Sequence, residues 1–185
     1  MPLVDSRSDR QLVEAHCSGE RRAFDELVRR HGDRLWSVAV RTLRHPEDAA
    51  DVVQEALESA YRRAHTYRGE AAVSTWLHRI VVNKCLDRIR WEQARPPVVR
   101  PGMRRRLAVT RDPADRTATR LAVLDALRHL PAEQRLALVL VDVEGYPVAQ
   151  AAAILEVPVG TVKSRCARGR TRLAAMLGYL REEGP

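Results

Sequence analysis

Apolar positions along this chain recur three and four residues apart. That spacing puts them on one face of a helix rather than one side of a strand. Residues 9–19 place Leu12, Val13 and Ala15 in such a pattern, with Gly19 as a stop. Ala23, Phe24, Leu27 and Val28 open a second helix, which Leu35, Val38, Ala39 and Leu43 carry toward Pro46. In residues 47–65 the stripe is Ala49, Val53, Ala56, Leu57, Ala60 and Ala64. Residues 66–75 read as a loop, with Ser74 or Thr75 able to cap a further helix. That helix, Trp76 to about Trp91, is apolar on more than one side: His78, Val82, Cys85 and Ile89 on one, Trp76, Ile80 and Trp91 on another. A helix wet along only one strip belongs at the centre of its bundle.

The periodicity then stops. Pro96, Pro97, Pro101 and Pro113 exclude a continuous helix over residues 93–119, and Arg104-Arg105-Arg106 adds a charge run. Helical spacing resumes with Leu121, Leu124 and Leu127, up to Leu130-Pro131, and again from Ala132 to about Val143 with Leu136, Val139 and Leu140. The pattern predicts an all-α fold: two small helical domains, residues 1–92 and 120–185, joined by a flexible linker, residues 93–119.

The stretch from Tyr146 to Leu173 carries the plainest function signal. Val148, Ala151, Ala152 and Leu155 share one helical face, Val157-Pro158 interrupts, and Pro158 suits the first turn of a new helix. There Val162, Cys166, Gly169 and Leu173 face inward, while Lys163, Ser164, Ala167, Arg168 and Thr171 face outward, with Arg165, Arg170 and Arg172 on the flanks. No acidic residue stands between Val157 and Arg181. A short apolar helix, a tight turn and a basic helix form a helix-turn-helix candidate. Cations displace the counterions condensed on duplex DNA, and small outward residues let a helix seat in the major groove. An amphipathic surface helix would satisfy the same wheel, but such helices mix charge signs.

Net charge is +8 over 185 residues, and its distribution matters more than its sum. The Pro-rich segment has seven basic and two acidic residues, so a polyanionic partner is indicated for the chain as a whole. In residues 47–65, Asp48, Asp51, Glu55 and Glu58 gather opposite the apolar stripe, with Gln54 beside them, and no basic residue intervenes before Arg62. Like charges one turn apart repel, so the stripe suits either a docked basic partner or a solvated face. Arg62, Arg63, Tyr67, Arg68, Arg79, Asn83, Lys84, Arg88 and Arg90 interleave cations with aromatics, a surface that can track a single strand and stack its bases.

Other chemistries find little support. Cys17, Cys85 and Cys166 are far apart and form no metal-ligand or disulfide spacing. No His follows a Glu by three residues, and neither a phosphate loop nor a nucleophile elbow occurs. No cofactor, metal or catalytic residue is expected, and the chain does not read as an enzyme. The longest apolar run, Leu136 to Val141, is too short to span a bilayer, and the N-terminus lacks a signal pattern. A soluble cytoplasmic protein is the expectation.

Four stretches in this order resemble a bacterial RNA polymerase sigma factor of the extracytoplasmic-function (ECF) group, with only regions 2 and 4. Asp48-Ala-Ala-Asp-Val-Val-Gln-Glu55 is similar to region 2.2, and Ser74 to Arg88 to regions 2.3 and 2.4. Leu130-Pro131 with Asp142-Val-Glu-Gly145 is similar to region 4.1, and Val159-Gly-Thr-Val-Lys-Ser-Arg165 to the start of the region 4.2 recognition helix. The resemblance implies that Asp48, Asp51, Gln54 and Glu55 dock on core RNA polymerase. It implies that Tyr67, Arg68, Ser74, Thr75, Arg79, Asn83, Lys84 and Arg88 read the melted minus-10 element. Extruding a base there costs a few kcal/mol of unstacking, offset by pocket contacts. Thr161, Lys163, Ser164, Arg165, Arg168 and Arg172 would meet the duplex minus-35 element. A sequestering anti-sigma factor is a further partner the family implies, and membrane insertion is not. Two departures stand out: Glu156 occupies a turn position where the family commonly has Gly, and Gly169 lies inside the recognition helix, where it weakens the helix unless close packing requires it. The competing readings are a stand-alone helix-turn-helix regulator, which would bind duplex operators unaided, and a carboxylate enzyme, which lacks ligand spacing.

Overall fold

The computed structural model describes residues 5–43, 45–94 and 115–178, all helix and connecting turn with no strand. The chain enters through α1 (Asp9–Cys17), whose start is written in Ser8 and Gln11: the Gln11 N–H donates to the Ser8 hydroxyl and the Ser8 N–H to the Gln11 side chain. This reciprocal cap satisfies two donors that no helix can satisfy internally. Gly19 closes the turn with φ 103°, a conformation that costs glycine no side-chain clash. Helices α2 (Arg21–Thr42) and α3 (Pro46–Arg63) come next, the latter with proline at its first position, then a 3₁₀ turn over Ala64–Thr66.

Helix α4 (Val73–Ala94) begins one residue ahead of the expected caps. The Trp76 N–H already donates to the Ala72 carbonyl, so Ser74 and Thr75 lie in the first turn. Leu12, Phe24, Leu27, Leu35, Val52, Ala56, Leu77, Val81 and Cys85 close the first core between these four helices. Burial pushes the Cys85 thiol up to about 12.

Residues 95–114, most of the expected linker, lie outside the described residues. Its edges are helical: α4 runs on to Ala94, and α5 (Asp115–His129) begins ahead of the expected boundary. Then come α6 (Ala132–Leu138), which passes into a π-helical turn over Val139–Val143, α7 (Val148–Leu155) and α8 (Val159–Met176). Their core holds Leu127, Leu136, Leu138, Leu140, Tyr146, Ile154 and Val162. It also takes in Val38 of α2 and Val82 of α4. The two bundles are therefore packed against each other, with α7 seated on α4 and α6 reaching α2. Arg135 is buried at this seam, donating to the Thr42 carbonyl at 2.5 Å.

Candidate nucleic-acid and polymerase-docking surfaces

The turn between α7 and α8 is built by backbone. Glu156 takes the left-handed conformation at φ 53°, and the N–H groups of Glu156 and Val157 both donate to the Ala152 carbonyl. Pro158 then precedes the helix rather than opening it, its carbonyl accepting from Thr161 and Val162. Helix α8 buries Val162, Cys166 and Gly169. Gly169 sits against α6 so closely that a Cβ there would lie 2.7 Å from Leu138 Cδ1. Lys163, Ser164, Ala167, Arg168 and Thr171 form the open face, as the wheel predicts, and Arg172, expected on the flank, is exposed beside them.

The cations on α8 differ in freedom. Arg170 is held bidentately by Asp142 at 2.9 and 2.7 Å. Arg165 reaches sideways to Glu133 at 2.7 Å, which draws it toward α6 and off the open face. Arg168 folds back on Ser164, its Nε donating to that carbonyl at 3.3 Å. Lys163 and Arg172 make no ion pair among the described residues, so the open face keeps uncommitted positive charge.

In the first bundle, α3 presents Asp51, Gln54 and Glu55 to solvent. Asp48 departs from that exposed stripe: it is 6% exposed, because Arg88 of α4 leans over the first turn of α3 and pairs with it at 3.3 Å. Arg88 also pairs with Asp51 at 3.3 Å, and Lys84 with Glu55 at 3.0 Å. The acidic face of α3 and the basic face of α4 thus share an edge. The exposed Lys84–Glu55 pair contributes about 0–1 kcal/mol, so either of its partners can be given up to a macromolecule cheaply.

Along the basic face, Asn83 and Arg68 are exposed. The Tyr67 hydroxyl donates to the Ala71 carbonyl at 2.6 Å, and its ring lies tilted against Trp76 with centroids 5.5 Å apart. Trp91 is 44% exposed, with the Arg88 guanidinium 5.7 Å from its centroid. Ser74 lies in the first turn of α4, half-buried, while Thr75 and Arg79 are at the seam. The Ser74 carbonyl accepts from His78 Nδ1 at 2.7 Å, Gln150 donates to the Thr75 hydroxyl at 3.4 Å, and Arg79 Nε donates to the Ala153 carbonyl at 2.7 Å.

Several residues at this seam carry no function in the sequence reading. Arg34, Ser37 and Arg41 of α2 surround Glu144, and His78 meets the Tyr146 hydroxyl. Burial lowers the His78 pKa from its ordinary value, reinforced by Arg34 and partly opposed by the bond to Ser74. Burial raises the Tyr146 hydroxyl as well. The one available signal was the spacing of Arg34, Ser37 and Arg41, which lie three and four residues apart on a single face of α2. Among the described residues no group of three or more His, Cys, Asp or Glu is placed to hold a metal, and no helix is long and apolar enough to cross a membrane.

Comparison with known proteins assigns this arrangement. The Sigma-70 region 2 model matches residues 27–95, and the model for Sigma-70, region 4 matches residues 120–173. The chain is 52% identical to the ECF RNA polymerase sigma factor SigM of Mycobacterium tuberculosis, over 94% of this chain and 87% of the relative. The chain belongs to the ECF RNA polymerase sigma factors. It is 32% identical to the ECF RNA polymerase sigma-E factor of Escherichia coli K12, over 91% of this chain and 93% of that one. Among solved structures, CnrH in complex with the cytosolic domain of CnrY matches with a TM-score of 0.71 at 29% identity, covering 94% of this chain and 99% of CnrH. As an ECF sigma factor, the protein binds core RNA polymerase and promoter DNA and directs transcription initiation; sigma factors are non-enzymatic initiation factors.

Proposed function

We propose a division of that work between the two regions. Region 2, residues 1–92, docks on core polymerase through Asp51, Gln54 and Glu55, with Asp48 holding Arg88 in place beneath them. The neighbouring face of α4 and the segment before it read the melted minus-10 element: Tyr67, Arg68, Asn83, Lys84 and Arg88 from the open part, Ser74 from the first turn of α4, and Thr75 and Arg79 from the seam. Region 4, residues 120–185, lays α8 into the minus-35 duplex. Lys163, Ser164, Arg168 and Arg172 meet the groove, Thr161 stands at the helix start, and Arg165 stands at its edge. Residues 93–119 tether the two. The factor works in the cytoplasm, and an anti-sigma partner holds it when idle. The likeness to CnrH, captured with the cytosolic domain of CnrY, supports that last element.

The observation that carries this reading is the shared edge of α3 and α4, where carboxylates and cations of opposite duty lie within 3.3 Å of each other. Such an edge brings polymerase and opened DNA to adjacent faces of one small bundle. The test is a double substitution, Asp51→Ala with Glu55→Ala. Both side chains are exposed, so thermal stability should move by less than about 1 kcal/mol. Association with core polymerase should weaken about tenfold or more, since charge complementarity governs such docking. Wild-type association in the double variant would remove the docking assignment.

A further inference from the structure

Helix α8 carries five cations, Lys163, Arg165, Arg168, Arg170 and Arg172, and no carboxylate of its own. Two of the five are nonetheless neutralised, by anions from the neighbouring element. At about 100° per residue, Lys163 and Arg170 share one flank of the helix and Arg165 and Arg172 the other, each pair about two turns apart. On the first flank Asp142, in the π-helical turn, holds Arg170 through Nε at 2.9 Å and Nη2 at 2.7 Å. On the second, Glu133 of α6 holds Arg165 through Nη2 at 2.7 Å. Each flank is left with one cation outside any ion pair among the described residues, Lys163 on one and Arg172 on the other.

Close packing brings the anions within reach. Helix α8 meets α6 at Gly169, where the missing side chain admits Leu138 and the Cβ of Gln134. Glu133 stands next to Gln134 at one end of that contact, and Asp142 lies four residues beyond Leu138 at the other. Neither pair is hidden from a ligand: the Arg170 side chain is 57% exposed and that of Glu133 64%. A helix lying in the major groove has a phosphate strand along each flank. A cation that neutralises a phosphate releases a condensed counterion, whereas a carboxylate-bound arginine brings no net charge to it. The Nε and Nη2 edge of Arg170, which could grip a phosphate bidentately, is already taken by Asp142.

We propose that Asp142 and Glu133 cap the sequence-independent affinity of region 4 for duplex DNA. They neutralise one arginine on each flank of α8, so that the choice of site rests on the groove-facing residues and the link to polymerase rather than on flank charge. This inference rests on the reading of α8 as the minus-35 helix, and deepens it by giving two residues outside that helix a part in its discrimination.

The full chain and a fluorescent random-sequence duplex test it, by anisotropy across about 50–200 mM salt. Asp142→Asn with Glu133→Gln keeps the shape of both side chains and removes their charge. Binding should tighten about tenfold at the low end, and the slope of log affinity against log salt should steepen by about 1–2, one phosphate for each arginine released. A fold defect cannot produce tighter binding with a steeper slope. Asp142→Asn with Arg170→Ala exchanges a neutral pair for neutral side chains and should return binding to near the wild-type value. Unchanged affinity and slope in the carboxylate double variant would overturn the proposal. Weaker binding would overturn it as well, by showing that the carboxylates aim the arginines at phosphates. Failure of the minus-35 reading looks different. Lys163→Ala with Arg172→Ala removes the two unpaired flank cations and should flatten the slope by about 2 if α8 meets duplex. That loss, with no gain in the carboxylate variant, sinks the proposal alone; no change in either variant sinks the minus-35 reading with it.

Discussion

Glu156 is the described non-glycine residue with positive φ, and it stands at the turn of the DNA-binding motif. The left-handed region costs an L-residue about 1 kcal/mol, a penalty glycine escapes. Glu156→Gly should therefore stabilise region 4 by up to about 1 kcal/mol in urea unfolding, since the ion pair it gives up with Arg79 is long and exposed. Gly169 makes the opposite case. Alanine there would gain about 1 kcal/mol of helix propensity, yet its methyl must displace Leu138, itself buried in the region 4 core. Overpacking costs about 1–3 kcal/mol, so Gly169→Ala should destabilise the protein by about 1 kcal/mol, and a higher midpoint would refute the packing account. Both residues are visible in the sequence as departures from the family pattern. The burial of Asp48 is not, because a helical wheel knows nothing of the Arg88 that leans across it from another helix.

At the scale of elements, α4 was legible as the central helix, since its apolar residues leave only one wet strip. The role of His78 was not. It shares a side with Val82 and Cys85 and reads as a core position, whereas its ring bridges two bundles. With Nδ1–H committed to the Ser74 carbonyl, Nε2 is left to accept from Tyr146. The groups facing it are Arg34 and His31 of α2, which oppose its protonation, and Glu144, which weakly favours it. Because the folded pKa lies below the ordinary 6.5, the unfolded chain binds the proton first. The stabilisation is complete above pH 6.5 and falls away as the pH drops from there toward the folded value. Thermal melts between about pH 7.5 and 5.5 should show a loss for wild type that is smaller in His78→Gln. Asp5, held down to about 2 by Arg7, does not titrate in that range. Equal slopes for the two proteins would show that His78 is not a source of the dependence.

At the scale of the molecule, local periodicity revealed the helices, the two bundles and the basic outer face of α8, because each is encoded within a few turns of chain. The seam between bundles joins Ser37 to Glu144, 107 positions apart, and Arg79 to Ala153, 74 apart. No spacing rule reaches that far, which is why a tethered pair was expected and a packed pair was found. The central claim is that this one chain brings core polymerase to promoters. Run-off transcription with purified core polymerase, the full chain and a library of genomic fragments tests it most directly. Discrete transcripts that require the chain, each starting a fixed distance below two spaced elements, are the predicted result. A chain that yields no start site with core polymerase, yet occupies duplex operators unaided, would contradict the account.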